Sequence, residues 1–508
     1  MESKSRIYNS KKNVSYGLIV TIINTLVSFV SRTFFVKYLG PEFLGLNGLF
    51  TEVIMMLSLA ELGVGMAINY SLYKPIHEGD FTKINQLMSL FKKTYNLIAL
   101  VIFVLGICIL PFIHLIVNGT GFSLNYIRLV FFLFVINTSV SYLFSYNTSF
   151  ITADQKQYVV SVATAAMKLL FTVLMVAMLV LTQNYLLYLI LIIAQTLTTN
   201  IIIARYVSKR YPYINYKSSL PKEEKNRVFK DIKNIFIKRV SGVITSSTTN
   251  VLISTLVNTI QVGFYSNYTM IFAVVRTLNK QFSNGLKASI GDLTVSENSD
   301  KCIQVLRNLT FLFFVFSFII CSGLCTLCSD FITIWLGADY VLAEIVVYVA
   351  IINLFIEICC EPLWQYLEVS GLFNQDRNIA ILGSTVNLAV AIILGYKIGM
   401  IGIFLGTICS QLIQMVLKSK LLFNQLFASS SSGFLLFISK MLLVFIVISI
   451  IDFFLNKYVV LYYYVLTLAI KALITLVISC VLIYVIYRRT PEYVYAKMML
   501  ISEIQKHK

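Results

Sequence analysis

Apolar residues fall in long unbroken runs along this chain, and polar and charged residues collect in the gaps between them. A hydrocarbon core about 30 Å thick takes roughly 20 residues of helix per crossing, and the runs have that length. Cutting them at charge and turn clusters predicts about fourteen spans. The first six run Ser15 to Lys37, Phe43 to Tyr73, Thr94 to Val117, Leu124 to Thr152, Tyr158 to Leu181 and Tyr185 to Val207. The next six are Ile235 to Val257, Val262 to Ile290, Ile303 to Cys328, Val341 to Val369, Ile379 to Ile398 and Gly402 to Phe423. Phe434 to Leu455 and Val459 to Tyr487 complete the set.

The alternate connections differ in charge, and Lys and Arg are expected on the cytoplasmic side. One side carries Lys4, Arg6, Lys11, Lys12, Lys74, Lys83, Lys92 and Lys93, the run from Arg205 to Arg239, and later Lys301, Arg377, Lys418, Lys420, Arg488 and Arg489. The other carries only Lys37, Arg128, Lys397 and Lys457. Both termini are therefore expected inside. Met1 to Asn13 is polar and basic, and the apolar run after it is long and lacks a small-residue cleavage site, so a retained first helix is expected.

Composition turns this pattern into a class. Of 508 residues 58% are hydrophobic and only 13% charged, which excludes an ordinary soluble multidomain protein. The net charge of +18 is a nucleic-acid signal in a soluble chain, but here basic cytoplasmic loops account for it. The fold class is thus an all-α polytopic membrane protein without a nucleic-acid partner.

The longest connection, Ser208 to Asn234, divides the spans into six, six and a final pair, which suggests a repeat. The turn Phe43-Leu44-Gly45-Leu46-Asn47-Gly48 aligns with Gln261-Val262-Gly263-Phe264-Tyr265-Ser266, so Gly45 falls on Gly263. Phe150 to Asp154 likewise aligns with Tyr366 to Gly371. An even number of spans per half makes this a parallel repeat, with the substrate path expected between the halves. The expected organisation is an N-terminal lobe over 1–207, a basic linker over 208–234, a C-terminal lobe over 235–425, a terminal helix pair over 426–487 and a tail over 488–508.

Polar residues within the spans point to the site. An ionisable group at the bilayer centre costs at least about 2.5 to 3.5 kcal/mol, so each needs a protein or water partner. Span one carries Thr21, Asn24, Ser28 and Arg32 on one helical face, and span two carries Ser58, Glu61, Gly65 and Asn69. Packing explains the small residues but not the charges. Arg32 either lines a cavity or snorkels to the interface, whereas the short stem of Glu61 favours a cavity. Lys168 in span five joins Ser161, Ala165 and Thr172 on a polar face. Span eight carries Arg276, Lys280, Ser283 and Lys287 at helical spacing, with Arg276 about 20 Å from the outer end. Span ten carries Glu357, Glu361, Gln365 and Glu368 beside Trp364 and Pro362. Its acids either pair with the basic face of span eight or titrate and carry protons. Lys471 is a further deep cation in the terminal pair, where a groove could hold a lipid tail. Span seven, with Ser241, Thr245, Thr248, Thr255 and Thr259, is expected to join spans one, two and eight in lining a net-basic cavity.

Two cytoplasmic stretches repeat apolar residues at helical spacing beside basic ones. They are Phe81, Ile84, Leu87, Met88 and Phe91, and Val228, Phe229, Ile232, Ile235 and Phe236. Both read as helices lying in the headgroup layer.

The stretch Ser31-Arg32-Thr33-Phe34-Phe35-Val36-Lys37-Tyr38-Leu39-Gly40, with Phe43 to Phe50 and then Leu59-Ala60-Glu61-Leu62-Gly63, resembles bacterial polysaccharide flippases of the Wzx type. These belong to the multidrug/oligosaccharidyl-lipid/polysaccharide (MOP) exporter superfamily, and the span pattern resembles theirs over nearly the whole chain. The resemblance implies a non-enzymatic flippase in the bacterial inner membrane. Its cargo would be an undecaprenyl-pyrophosphate-linked oligosaccharide, moved to the outer leaflet by alternating access. A polysaccharide polymerase or other assembly proteins would be its partners. Related lipid II flippases carry a basic residue at the position of Arg32 and an acid at that of Glu61, both facing the cavity. They also carry a basic residue near the start of the eighth span, where this chain has Tyr268 and Thr269 and no charge before Arg276.

The expected cargo contacts are thus Arg32, Asn24, Glu61, Asn69, Lys168, Arg276 and Lys280, since Arg binds phosphate oxygens in a fork. Glu61, Glu357 and Glu361 are the candidates for coupling to an H+ or Na+ gradient. The outer gate is expected at the turns around Gly45 and Gly263, and the inner gate near Tyr73, Lys74 and Lys287. No Gly-rich phosphate loop is present to drive ATP hydrolysis. The histidines His77, His114 and His507 are scattered, and Cys321, Cys325 and Cys328 share a helical face that reads as packing, so neither a metal nor a cofactor is expected. A drug or metabolite exporter of the same superfamily is the alternative. A membrane-embedded polymerase is disfavoured because the outward connections are short.

Overall fold

The computed structural model describes residues 2–61, 64–226, 228–229, 248–296, 298–456 and 464–506. These residues form helices and turns, without strands, and group into two units, Met1–Gly263 and Phe264–Lys508.

In the first unit α1 (Glu2–Leu39) ends at Gly40, whose φ of 83° turns the chain into α2 (Pro41–Leu57), with Pro41 placed where no backbone donor is lost. The expected second span is broken. α2 gives way to a tight 3-10 turn, Ser58–Glu61, and resumes as α3 (Val64–Glu78). Next come α4 (Phe81–Ile109), α5 (Leu124–Leu143), α6 (Ser145–Ala153), α7 (Gln157–Thr182) and α8 (Tyr185–Arg210). Side chains of Asp80, Ser123 and Asn184 cap α4, α5 and α8. α1 packs along α7, and α5 lies against both α4 and α8.

The second unit holds most of α9 (Thr259–Ser296), then α10 (Ser299–Leu336), α11 (Glu344–Cys359), α12 (Glu361–Val369), α13 (Phe373–Ile398) and α14 (Met400–Leu422). α15 (Ser432–Asn456), α16 (Tyr464–Tyr487) and α17 (Pro491–Lys506) complete it. α13 and α14 form a close hairpin, because Gly402 lies against the Leu394 backbone and Gly406 lies against Ala391 with no room for a Cβ.

The internal geometry of the units reproduces the repeat expected from the turns. α5 breaks before the 9-residue α6, and α11 breaks before the 9-residue α12. Both short helices end two residues before a left-handed residue, Gln155 with φ 60° and Gly371 with φ 74°. The helices that follow, α7 and α13, are each 26 residues long and end in left-handed turns at Gln183 and Gly399.

Among the described residues eleven helical stretches are long and apolar enough to cross a membrane. The predicted spans missing from that set are the second, seventh and eighth. The second is broken, residues 235–247 of the seventh lie outside the described residues with Ser241 and Thr245, and the eighth is α9 with its charged face.

One expectation is overturned. Phe81 to Phe91 is not a separate helix in the headgroup layer but the first turns of α4, continuous with the third span. Ile84, Leu87, Met88 and Phe91 are buried in a core with Tyr146, Phe150, Val207 and Tyr211. The segment after α8 covers this face, since Ser89 donates to the Tyr216 carbonyl at 2.8 Å and the Asn215 amide donates to Asn85 at 2.7 Å. Of the second such stretch, Val228 is buried and Phe229 exposed, while Ile232, Ile235 and Phe236 lie outside the described residues.

Candidate functional site

Helix packing assembles the polar face of the first span around a lysine. α7 lies along α1, so the Lys168 ammonium donates to Ser28 Oγ at 2.7 Å and to the Asn24 carbonyl at 3.1 Å. Asn24, Ser28 and Arg32 follow one another at single turns of α1, and Arg32 is half-buried near Tyr188 of α8. Lys168 makes no ion pair among the described residues, so this deep cation is held by neutral acceptors. The Asn24 side-chain carbonyl oxygen is buried without a hydrogen-bond partner. A cluster of this kind attracts an anion, because neither acceptor offsets the lysine's charge.

Glu61 ends the 3-10 turn between α2 and α3 and is half-buried. A Cβ added to Gly65 would lie 3.3 Å from Glu61 Oε1 and 3.2 Å from the Tyr95 hydroxyl, so Gly65 leaves room for both groups. The Tyr142 hydroxyl is also nearby. Asn69 lies on α3, with its side-chain carbonyl oxygen buried and unpartnered. Glu52 of α2 accepts from Asn250 at 3.3 Å, a contact between the second span and the described part of the seventh.

In the second unit the basic and acidic faces meet. Arg276 Nε lies 3.0 Å from both carboxylate oxygens of Glu357, and Nη2 lies 2.9 Å from Oε2. Ser283 donates to Glu361 at 2.5 Å and accepts from Gln365. Of the two roles open for the span-ten acids, pairing accounts for the position of Glu357. Lys280, one turn beyond Arg276, is exposed, and Lys287 lies further along α9.

The residues expected at the gates separate into two settings. An added Cβ on Gly45 would run into the Thr259 carbonyl, and one on Gly263 would lie 2.8 Å from Gly45 N and from the Pro41 carbonyl. The two aligned turns therefore meet backbone to backbone, held also by the Thr259 amide donating to the Asn118 carbonyl at 2.8 Å. Tyr73 and Lys74 are exposed at the end of α3, where Lys74 faces Glu78 at 3.8 Å.

Several ion pairs were not anticipated from the sequence. Lys471 of α16 binds Asp330 of α10 at 2.6 Å, so this cation is matched by a neighbouring helix. Lys418 binds Asp376 at 2.9 Å and lies over Trp364, and Arg307 binds Glu492 at 2.8 Å, tying α17 to α10. An acid and a base in separate apolar runs were the available signal, but sequence spacing does not reveal which helices touch. Beyond the end of α8 Tyr211 donates to Asp154 at 2.5 Å, and Lys156 lies 2.7 Å from the same carboxylate. Burial, aided by that hydrogen bond, raises the Tyr211 hydroxyl above the usual tyrosine range. Cys321, Cys325 and Cys328 are buried in α10.

Comparison with known proteins agrees with this architecture. A lipid II flippase, MurJ, in an inward closed conformation superposes with a TM-score of 0.67 at 15% identity, covering 93% of this chain and 99% of that one. A multidrug resistance MATE family transporter of the MOP superfamily, inward-facing, gives 0.59 at 13% identity over 78% of this chain and 92% of that one. The Vibrio cholerae MATE transporter VcmN gives 0.55 at 14% identity over 84% and 100%. At these identities the likeness is one of fold. No curated protein matches the sequence. Residues 10–279, just over half of the chain, match the family described as "Polysaccharide biosynthesis protein". Because that match covers more than half of it, and its fold is like that of these transporters, the chain belongs to the polysaccharide biosynthesis protein family.

Proposed function

We propose that the protein is a flippase for undecaprenyl-pyrophosphate-linked oligosaccharide repeat units, moving them from the inner to the outer leaflet for surface polysaccharide assembly. The observation that carries this reading is Lys168, a cation deep in the first unit whose hydrogen bonds go to Ser28 and the Asn24 carbonyl, one turn from Arg32. A polar, positively charged cluster suits a pyrophosphate, which bears about two negative charges and many acceptor oxygens. A drug exporter with the same fold would have to bind cationic or neutral amphiphiles, which gain nothing from an uncompensated lysine. The protein works in a bacterial cytoplasmic membrane with both termini inside, by alternating access, and hands its cargo to a polymerase or other assembly proteins. It transports rather than catalyses, and Glu61 is its candidate for coupling to an H+ or Na+ gradient.

The test is reconstitution of the full chain in liposomes with a fluorescent lipid-pyrophosphate oligosaccharide, scored for movement between leaflets. The parent should flip the lipid, and Lys168→Gln should lower the rate at least about ten-fold, the effect of losing one charge-assisted phosphate contact. A parent that moves cationic dyes but not the lipid-linked sugar would replace this reading with the exporter.

A further inference from the structure

The Arg276–Glu357 pair is placed unlike a simple helix lock. Arg276 lies 17 residues into the 38-residue α9, about 25 Å along it, so the pair is near mid-membrane. Yet 42% of the Arg276 side chain and 39% of that of Glu357 remain accessible, against 9% for Lys471 in its pair with Asp330. A charge pair that open at this depth faces water or a polar ligand rather than lipid tails. The carboxylate grips the Nε and Nη2 edge of the guanidinium, the edge that a phosphate would take in a two-bond fork.

The neighbours restrict what happens when that grip opens. Glu361 is held by Ser283, which is itself held by Gln365, so the second acid is anchored in place. Lys280, four residues from Arg276 and on the same face of α9, is exposed and makes no ion pair among the described residues. With Glu357 displaced, Arg276 and Lys280 would present two cations to one ligand.

We propose that Glu357 is an internal competitor for the cargo's phosphates. It occupies Arg276 in the resting protein and yields to a pyrophosphate, which bridges Arg276 and Lys280. A single phosphate cannot repay the loss of the carboxylate. This inference rests on the anionic cargo proposed above and gives the site a selectivity filter. Anionic phospholipids, which vastly outnumber any lipid-linked sugar, carry one phosphate and engage one cation, and the cost of displacing Glu357 brings that weaker affinity below what is needed to hold the site.

The experiment is binding of farnesyl pyrophosphate and farnesyl monophosphate to the purified full-length protein in detergent. An ion pair closed about 90% of the time leaves one molecule in ten competent, so Glu357→Gln should tighten pyrophosphate binding about ten-fold. It should tighten monophosphate binding by the same factor, because both ligands must displace the same carboxylate. Arg276→Gln combined with Glu357→Gln should abolish the gain. Glu357→Asp, which keeps the charge but shortens its reach, should show a smaller gain, and it decides the question if the Gln variant does not fold. Affinity unchanged or weakened in a folded Glu357 variant, or a gain that survives loss of Arg276, overturns the competitor role while leaving the flippase reading intact. A parent that binds neither farnesyl phosphate overturns the anionic cargo and the competitor together.

Discussion

Asp330 and Lys471 allow a quantitative test of how α16 is docked. The pair is the first rung of an antiparallel ladder between α10 and α16. Asp330 meets Lys471 at 2.6 Å, and one turn further Thr326 meets Thr475 at 3.1 Å. Ser322 and Ser479 continue the register, both buried with unpaired hydroxyl oxygens. The two ends of the first rung differ, since Lys471 is 9% exposed and Asp330 is 39% exposed. Asp330→Leu strands an ammonium among buried neighbours, which costs about 3 to 5 kcal/mol. Lys471→Met leaves a carboxylate that still reaches polar surroundings, and should cost about 1 to 2 kcal/mol, the range for one unmade polar contact. The double variant replaces the pair by apolar groups and should be near neutral. The assay heats full-length protein in detergent and follows the monodisperse fraction by fluorescence-detected size exclusion. The expected order of stability is parent and double variant together, then Lys471→Met, then Asp330→Leu. Equal losses in the single variants, or a double variant as unstable as their sum, would refute the ladder as the docking contact.

Three further outcomes are expected. Gly45→Ala should lower stability and transport together, because its Cβ meets the Thr259 carbonyl and not a movable side chain, whereas Gly17→Ala, with nothing within 4 Å, should be silent in the same thermal assay. Glu61→Gln keeps the shape beside Gly65 and Tyr95 but removes the charge. Flipping by this variant in liposomes should lose its response to an imposed H+ or Na+ gradient, and an unchanged response would dismiss Glu61 as the coupling group. Tyr211→Phe removes the hydroxyl that donates to Asp154 and should cost about 1 kcal/mol, read as faster protease cleavage after α8 with flipping retained.

The run lengths predicted the spans because hydrocarbon thickness leaves helices few choices, and the turn alignment around Gly45 and Gly263 marked a contact that the structure contains. The helix breaks were harder to read. Ser58, Glu61, Gly65 and Asn69 keep helical spacing straight through the 3-10 turn, so periodicity gives no sign that α2 has ended. Pro362 marked the other break more openly, because a proline just inside a helix start lacks the amide that the preceding turn would need. The reading of Phe81 to Phe91 failed for a different reason. An apolar stripe flanked by lysines states that one face seeks burial, not what will cover it. Here the cover is supplied by Tyr211 to Tyr216, more than a hundred residues away, with Lys92 lying over the Tyr216 ring at 4.8 Å.

The same limit applied to the deep charges, and resolving it changes their meaning. In sequence Lys168, Arg276 and Lys471 are alike, each a cation inside an apolar run that needs compensation. Packing gives them three different environments. Lys471 receives a carboxylate and is sealed, so its charge is spent on docking a helix. Arg276 receives a carboxylate but stays open, which leaves the bond exchangeable. Lys168 receives a hydroxyl and a backbone carbonyl, and its charge stays uncancelled. A charge serves an anionic cargo in proportion to what remains after its protein partners are counted. By that measure Lys168 ranks first, Arg276 depends on the release of Glu357, and Lys471 drops out. Neutralising Lys168 should therefore reduce flipping more than neutralising Arg276, whereas neutralising Lys471 should lower stability modestly and leave cargo binding intact.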